Sequence, residues 1–94
     1  MARKFDLTAK YFKNKRVELN LTQAELAEEL GFSSPQIVSN WERGICSPPL
    51  NAAYKMVHKL GLPMNEVAEI MTEQSRIFFL EKLRPAVKKK RKAS

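Results

Sequence analysis

TQAELAEELGFSSPQIVSNWERG, residues 22–44, decides how this chain folds. Thr22 can cap a helix with its hydroxyl while Glu25, three residues on, reaches back to the cap amide. Leu26, Ala27 and Leu30 then recur at helical spacing, and Gly31 follows, a residue that takes the left-handed conformation closing a helix. Ser34 and Pro35 start a second helix, because a serine caps well and a first-turn proline lacks only an N–H that would be unpaired anyway. Val38 and Trp41 point inward from it, and Gly44 closes it. The stretch therefore predicts two short helices joined by a tight turn.

Working outward, Gly61 and Asn20 supply two further stops of the same kind. Four stops predict helices over roughly 8–19, 23–30, 35–42 and 50–60, with a fifth starting near Pro63. No segment alternates with the period of a strand, except the short run Ile77-Phe78-Phe79-Leu80. The expected fold is all-α, a compact domain of four to five helices. Phe12, Arg16 and Leu19 would form the inward face of the first helix, and Leu50, Ala53, Val57 and Leu60 that of the fourth. Val67, Ile70 and Met71 open the fifth, and Ile77, Phe78, Leu80 and Leu83 continue it.

The chain has 94 residues and a net charge of +7. Residues 72–94 hold eight of its 17 basic residues and two of its ten acidic ones, a net +6, which leaves +1 for residues 1–71. Charge alone thus supports nucleic-acid binding by the tail and says nothing of the body. The single cysteine, Cys46, excludes an internal disulfide, and with the single histidine, His58, it cannot complete a tetrahedral zinc site. No metal or cofactor is expected. No apolar run approaches the roughly 18 residues needed to cross a bilayer, and the N-terminus lacks a secretory signal. The expected location is cytoplasmic and nucleoid-associated, for a bacterial or phage-encoded protein. Glu25, Glu28 and Glu29 have no histidine, cysteine or aspartate beside them, so no acid–base pair, nucleophile or other catalytic group is expected.

The predicted helix pair has the layout of a helix-turn-helix: small Ala27 where the helices approach, Gly31 at the turn, and Phe32, Val38 and Trp41 locking the second helix onto the core. Over about residues 10–72 the chain resembles the phage repressor/Cro-like (XRE) helix-turn-helix family. The resemblance rests on Lys15-Arg16, Leu21 to Ala27, Leu30-Gly31, Ser39 to Gly44, Pro48 and Lys59 to Leu62. It implies a sequence-specific DNA-binding transcriptional regulator with double-stranded DNA as partner. Gln36 and Asn40 would read bases, with Ile37 beside them able to touch a thymine methyl. Gln23, Ser33, Ser34, Ser39, Arg43 and the amides of Gly44 and Ile45 would contact phosphates. Arg16 and Glu42 would form a partly buried structural ion pair. The chain departs from the family at one point. Between Gly31 and Trp41 stand the nine residues Phe32 to Asn40, one more than usual. Counting back from Trp41 places the extra residue in Phe32-Ser33-Ser34, and Pro35 occupies a position often used for base reading.

The expected organisation is an N-terminal arm at 1–9, the DNA-binding domain at 10–72, an extension at 73–85 and a disordered basic tail at 86–94. The apolar residues at 77–83 would complete the core or form a homodimer seam, with the seam favoured because such proteins bind paired half-sites. Lys88, Lys89, Lys90, Arg91 and Lys92 would add non-specific phosphate attachment. Repression of a palindromic operator by a homodimer is the leading expectation. The alternatives are an antitoxin-like or accessory protein whose residues 72–94 grip a partner protein, and a general nucleic-acid binder acting through its tail.

Overall fold

A computed structural model describes residues 4–93, with side chains through Arg84. Five helices follow in order: α1 (Asp6–Glu18), α2 (Gln23–Glu29), α3 (Gln36–Glu42), α4 (Leu50–Leu60) and α5 (Met64–Ala93). No strand occurs among the described residues, and the run at 77–80 lies inside α5. The expectations for the tail at 86–94, including Lys88, Lys89, Lys90, Arg91 and Lys92, fall outside the described side chains.

The first three helices stop the same way. Leu21, Phe32 and Ile45 each donate a backbone N–H back to the carbonyl of Arg16, Ala27 and Asn40, across a residue of positive φ. That residue is Asn20 (φ 59°), Gly31 (φ 85°) or Gly44 (φ 73°), and its own amide bonds one turn back. This is the Schellman closure, which satisfies carbonyls that a helix end otherwise leaves bare. At the other end of α2 the capping box is complete, with Thr22 Oγ1 accepting from the Glu25 amide at 3.1 Å and Glu25 Oε1 from the Thr22 amide at 2.8 Å.

Phe12, Leu26, Ala27, Leu30, Val38, Trp41, Ala52, Ala53, Met56, Leu62 and Val67 form one core. Trp41 lies at its centre with the ring of Phe32 edge-on to it at 5.9 Å. The Trp41 indole N–H is buried with no hydrogen-bond partner among the described residues. Two expected faces need correction. Leu19 is the C-cap of α1 and is exposed, and Thr8 and Ala9 take the buried places one and two turns before Phe12 and Arg16. Leu50, the first residue of α4, is 81% exposed, and α4 turns Ala52, Ala53 and Met56 inward. Alanines let α4 approach the core closely, whereas the face carrying Leu50 would hold it away. Val57 and Leu60 remain half-buried against the core.

Residues 6–9 form the first turn of α1, and α5 runs through Thr72 and Glu73 without a break. Its residues beyond 72 meet the start of the chain. Phe78 stacks on Phe5 at 5.3 Å, and Lys4 and Lys82 lie over the Phe78 ring at 5.7 and 5.6 Å.

Candidate nucleic-acid interface

The second helix of the pair, α3, is held from three sides. Arg16 of α1 reaches Glu42 with both arms of its guanidinium, Nε to Oε2 at 2.6 Å and Nη2 to Oε1 at 2.9 Å. Its Nη1 donates to the Leu21 carbonyl at 2.8 Å. The two side chains are only 13% and 5% exposed, a bidentate geometry that offsets the cost of removing two charges from water. The hydrogen bond to Glu42 is the main cause holding the Arg16 pKa above its ordinary value. Gln23, the first residue of α2, adds its amide to the same carboxylate, Nε2 to Glu42 Oε1 at 3.0 Å. One acidic group therefore ties α1, α2 and the end of α3 together.

The turn between α2 and α3 absorbs the extra residue. Phe32 folds back onto Trp41, Ser33 is exposed, and Ser34 Oγ accepts the Gln36 amide at 3.1 Å. Ser34 thus caps the Gln36 amide, while Pro35, already at helical angles (φ −71°, ψ −8°), is the N-cap residue of α3, one place before the first-turn position expected of it. From α4, Lys55 Nζ donates to the Leu30 carbonyl and Lys59 Nζ to the Glu29 carbonyl, each at 3.0 Å. Two cations thus sit at the negative end of α2 and fix the turn from below.

With Val38, Trp41 and Glu42 buried, α3 presents Gln36, Ile37, Ser39 and Asn40 on its other side. Gln36 is exposed and Asn40 half-buried. Gln36 Nε2 donates to Asn40 Oδ1 at 3.0 Å, which aligns the two amides one turn apart. Ile37 is half-buried and shares a shallow cleft with Phe32, Ser33, Ser34, Gln36 and Asn40. The surface can therefore offer amide donors, amide acceptors and one methyl-bearing wall, with no charge on it. That is the chemistry of base-edge reading, not of phosphate attraction.

A helix-turn-helix family model matches residues 12–67. The chain belongs to the phage repressor/Cro-like (XRE) helix-turn-helix family. No curated protein and no solved structure matches it. Family membership makes it a DNA-binding protein of the transcription-regulator kind. The family is a regulatory one and not typically enzymatic. Among the described residues no group of histidine, cysteine, aspartate and glutamate could hold a metal ion, and no helix is long and apolar enough to cross a membrane.

Within this helix-turn-helix frame, the amides of Gly44 and Ile45 have a structural role. Both are already donors, to the carbonyls of Trp41 (3.1 Å) and Asn40 (3.0 Å), because they close α3. The exposed Arg43 beside them is the cation of that segment. Gln23 likewise faces Glu42.

Two polar groups escaped the sequence reading. Gln74 of α5 is buried, its Oε1 accepting the Thr8 amide at 3.1 Å, while Ser47 Oγ donates to Thr8 Oγ1 at 3.2 Å. The signal was available: Gln74 interrupts the apolar spacing of Val67, Met71 and Phe78, and a polar residue on a core stripe needs partners. The second is a surface cluster between α1 and α5, where Tyr11 donates to Glu66 at 2.8 Å and Lys15 lies 3.3 Å from the same carboxylate. These partners hold the Glu66 pKa below its ordinary value, the Tyr11 hydrogen bond contributing most. Burial, and then Glu66, raise that of Tyr11.

Proposed function

We propose that this protein is a sequence-specific repressor that binds a palindromic operator as a homodimer, with α3 in the major groove. The carrying observation is the outward pair Gln36–Asn40, two neutral amides aligned on a helix whose other side is anchored by Glu42. Each amide can donate and accept together against adenine, and Ile37 is placed to meet a thymine methyl. Ser33, Ser34, Ser39, Arg43 and the exposed Ile45 segment border this surface and suit phosphate contact, with Arg43 giving the charge. Gln23 would join them by exchanging Glu42 for a phosphate oxygen. Repression needs only that the bound dimer occlude a promoter. The protein would act in the cytoplasm, on the nucleoid.

Selection of bound sequences from random DNA, with the mass of the complex measured alongside, tests this directly. Two half-sites about one DNA turn apart and two chains per site are expected. Gln36→Ala and Asn40→Ala should each relax preference by about 1–3 kcal/mol at individual base positions, with the fold intact. If neither variant shifts the preferred site, α3 does not read DNA in this register. A complex containing a different protein bound to residues 72–94 would favour the accessory-protein reading instead.

A further inference from the structure

The shallow cleft beside α3 lies where the chain departs from its family. Phe32, Ser33 and Ser34, the segment that takes up the extra residue, form one side of it, and Gln36, Ile37 and Asn40 form the other. At about 270 Å³ it falls below the roughly 300–1,000 Å³ of small-molecule sites. Its apolar floor is Phe32 and Ile37, which pack against the core and remain half-exposed on the cleft side. Neither moves freely. The Phe32 amide donates to the Ala27 carbonyl at 2.9 Å, and its ring stands edge-on to Trp41. Ile37 is β-branched within a helix, which leaves it essentially one χ1 setting. The rim is polar: Ser33, Ser34, and the amides of Gln36 and Asn40, which are joined at 3.0 Å.

We infer that this cleft is a subsite for the C5-methyl group of a pyrimidine in the major groove, and that it takes thymine and 5-methylcytosine alike. The subsite rests on the major-groove reading of α3 proposed above; it adds Phe32 and the turn to Ile37 and makes C5 methylation the property sensed. Of the groups that base edges show in the major groove, the C5-methyl is the apolar one, and the rest are hydrogen-bond donors or acceptors. A donor or acceptor buried on Phe32 and Ile37 has no partner there and costs free energy. A methyl carries no such cost and gains dispersion contact with two rigid carbon walls. Uracil and cytosine have a hydrogen at the same place and leave the floor wet. One methyl removed from water corresponds to about a fourfold change in affinity. Binding therefore responds to the methyl itself, so C5 methylation of a cytosine at this position strengthens it.

The test takes the site selected from random DNA and replaces its thymines one at a time with uracil, in duplexes bound by the full chain. One thymine per half-site is expected at which uracil weakens binding about fourfold. Cytosine and 5-methylcytosine at that position, each opposite guanine, should differ by the same factor, with 5-methylcytosine the tighter. Ile37→Ala should bring both ratios close to one, whereas Ile37→Val, which keeps the branched wall, should retain most of them. Comparing two DNAs on one variant cancels any loss of folded protein. If the ratios persist in Ile37→Ala, the methyl acts through the shape of the DNA and the subsite is refuted. If the half-site has no thymine, or none that responds, while Gln36→Ala and Asn40→Ala still relax the preferred sequence, the cleft faces the sugar–phosphate backbone; the subsite falls and the major-groove reading stands. A response to thymine without one to 5-methylcytosine overturns the claim that the two are taken alike. A site that neither uracil nor any of these α3 variants changes overturns the major-groove reading as well.

Discussion

The two helices that face outward from this domain do so in opposite ways. Seven-residue α3 is anchored along its inner side by Val38, Trp41 and Glu42 and shows solvent a small, uncharged, polar surface. Thirty-residue α5 shows solvent, among its described side chains, Leu80, Leu83 and Phe79 together with charged residues of both signs. A surface that must discriminate bases needs rigidly placed donors and acceptors, since a freely moving amide loses its directional advantage. A surface that must find another macromolecule can rely on apolar area and charge, which are less demanding of geometry. The lesson is that Gln36, Ile37, Ser39 and Asn40 carry none of the net charge of +7, and that the acidic Glu42, not a basic residue, is the group on which that surface depends.

That contrast breaks most severely at Arg16. Arg16→Ala should leave the Glu42 carboxylate buried without its cation and lower stability by about 3–5 kcal/mol, measured by urea denaturation. Replacing the pair together, Arg16→Met with Glu42→Leu, should recover most of that loss, because the apolar pair leaves no orphaned charge. A single variant as stable as the parent would mean that the pair does not anchor α3. Gln74→Ala probes the other end, where α5 holds α1. It strands the Thr8 amide and should cost about 1–3 kcal/mol without changing the preferred DNA site. Thr22→Ala should cost about 1 kcal/mol through the lost cap of α2, again in thermal unfolding. The smallest effect is electrostatic. The Glu66 pKa is held below its ordinary value of 4.5 by Tyr11 and Lys15, so its contribution is present above that pH and fades as pH falls through the lowered folded value. Glu66→Gln should therefore lower stability slightly at neutral pH, with the difference from the parent shrinking as pH falls below about 4.5.

Much of the fold was legible because helix ends are local. Thr22 with Glu25, Ser34 with Pro35, and Asn20, Gly31, Gly44 and Gly61 each act within a few residues, and every one stands where the structure starts or stops a helix. Faces were less legible. The α4 sequence LNAAYKMVHKL is apolar on more than one side, and no local rule chooses between Leu50 and Ala52. The choice falls to the distance at which α4 must approach the core and to Lys55 and Lys59, which have to reach the end of α2. The hydrogen bonds of the Gly44 and Ile45 amides were hidden for a similar reason. A resemblance transfers residue types, but a backbone donor is free only if the helix end does not already use it.

The sequence by itself determined the helix count, the family and the outward amides of α3, because capping, periodicity and left-handed stops are set by neighbours along the chain. Only the tertiary structure decided that Glu42 gathers Arg16 and Gln23, that Gln74 holds Thr8, and that Leu80 and Leu83 stay uncovered. These depend on residues far apart in the chain being brought within hydrogen-bonding reach, or failing to be, and burial is a property of the packed domain as a whole.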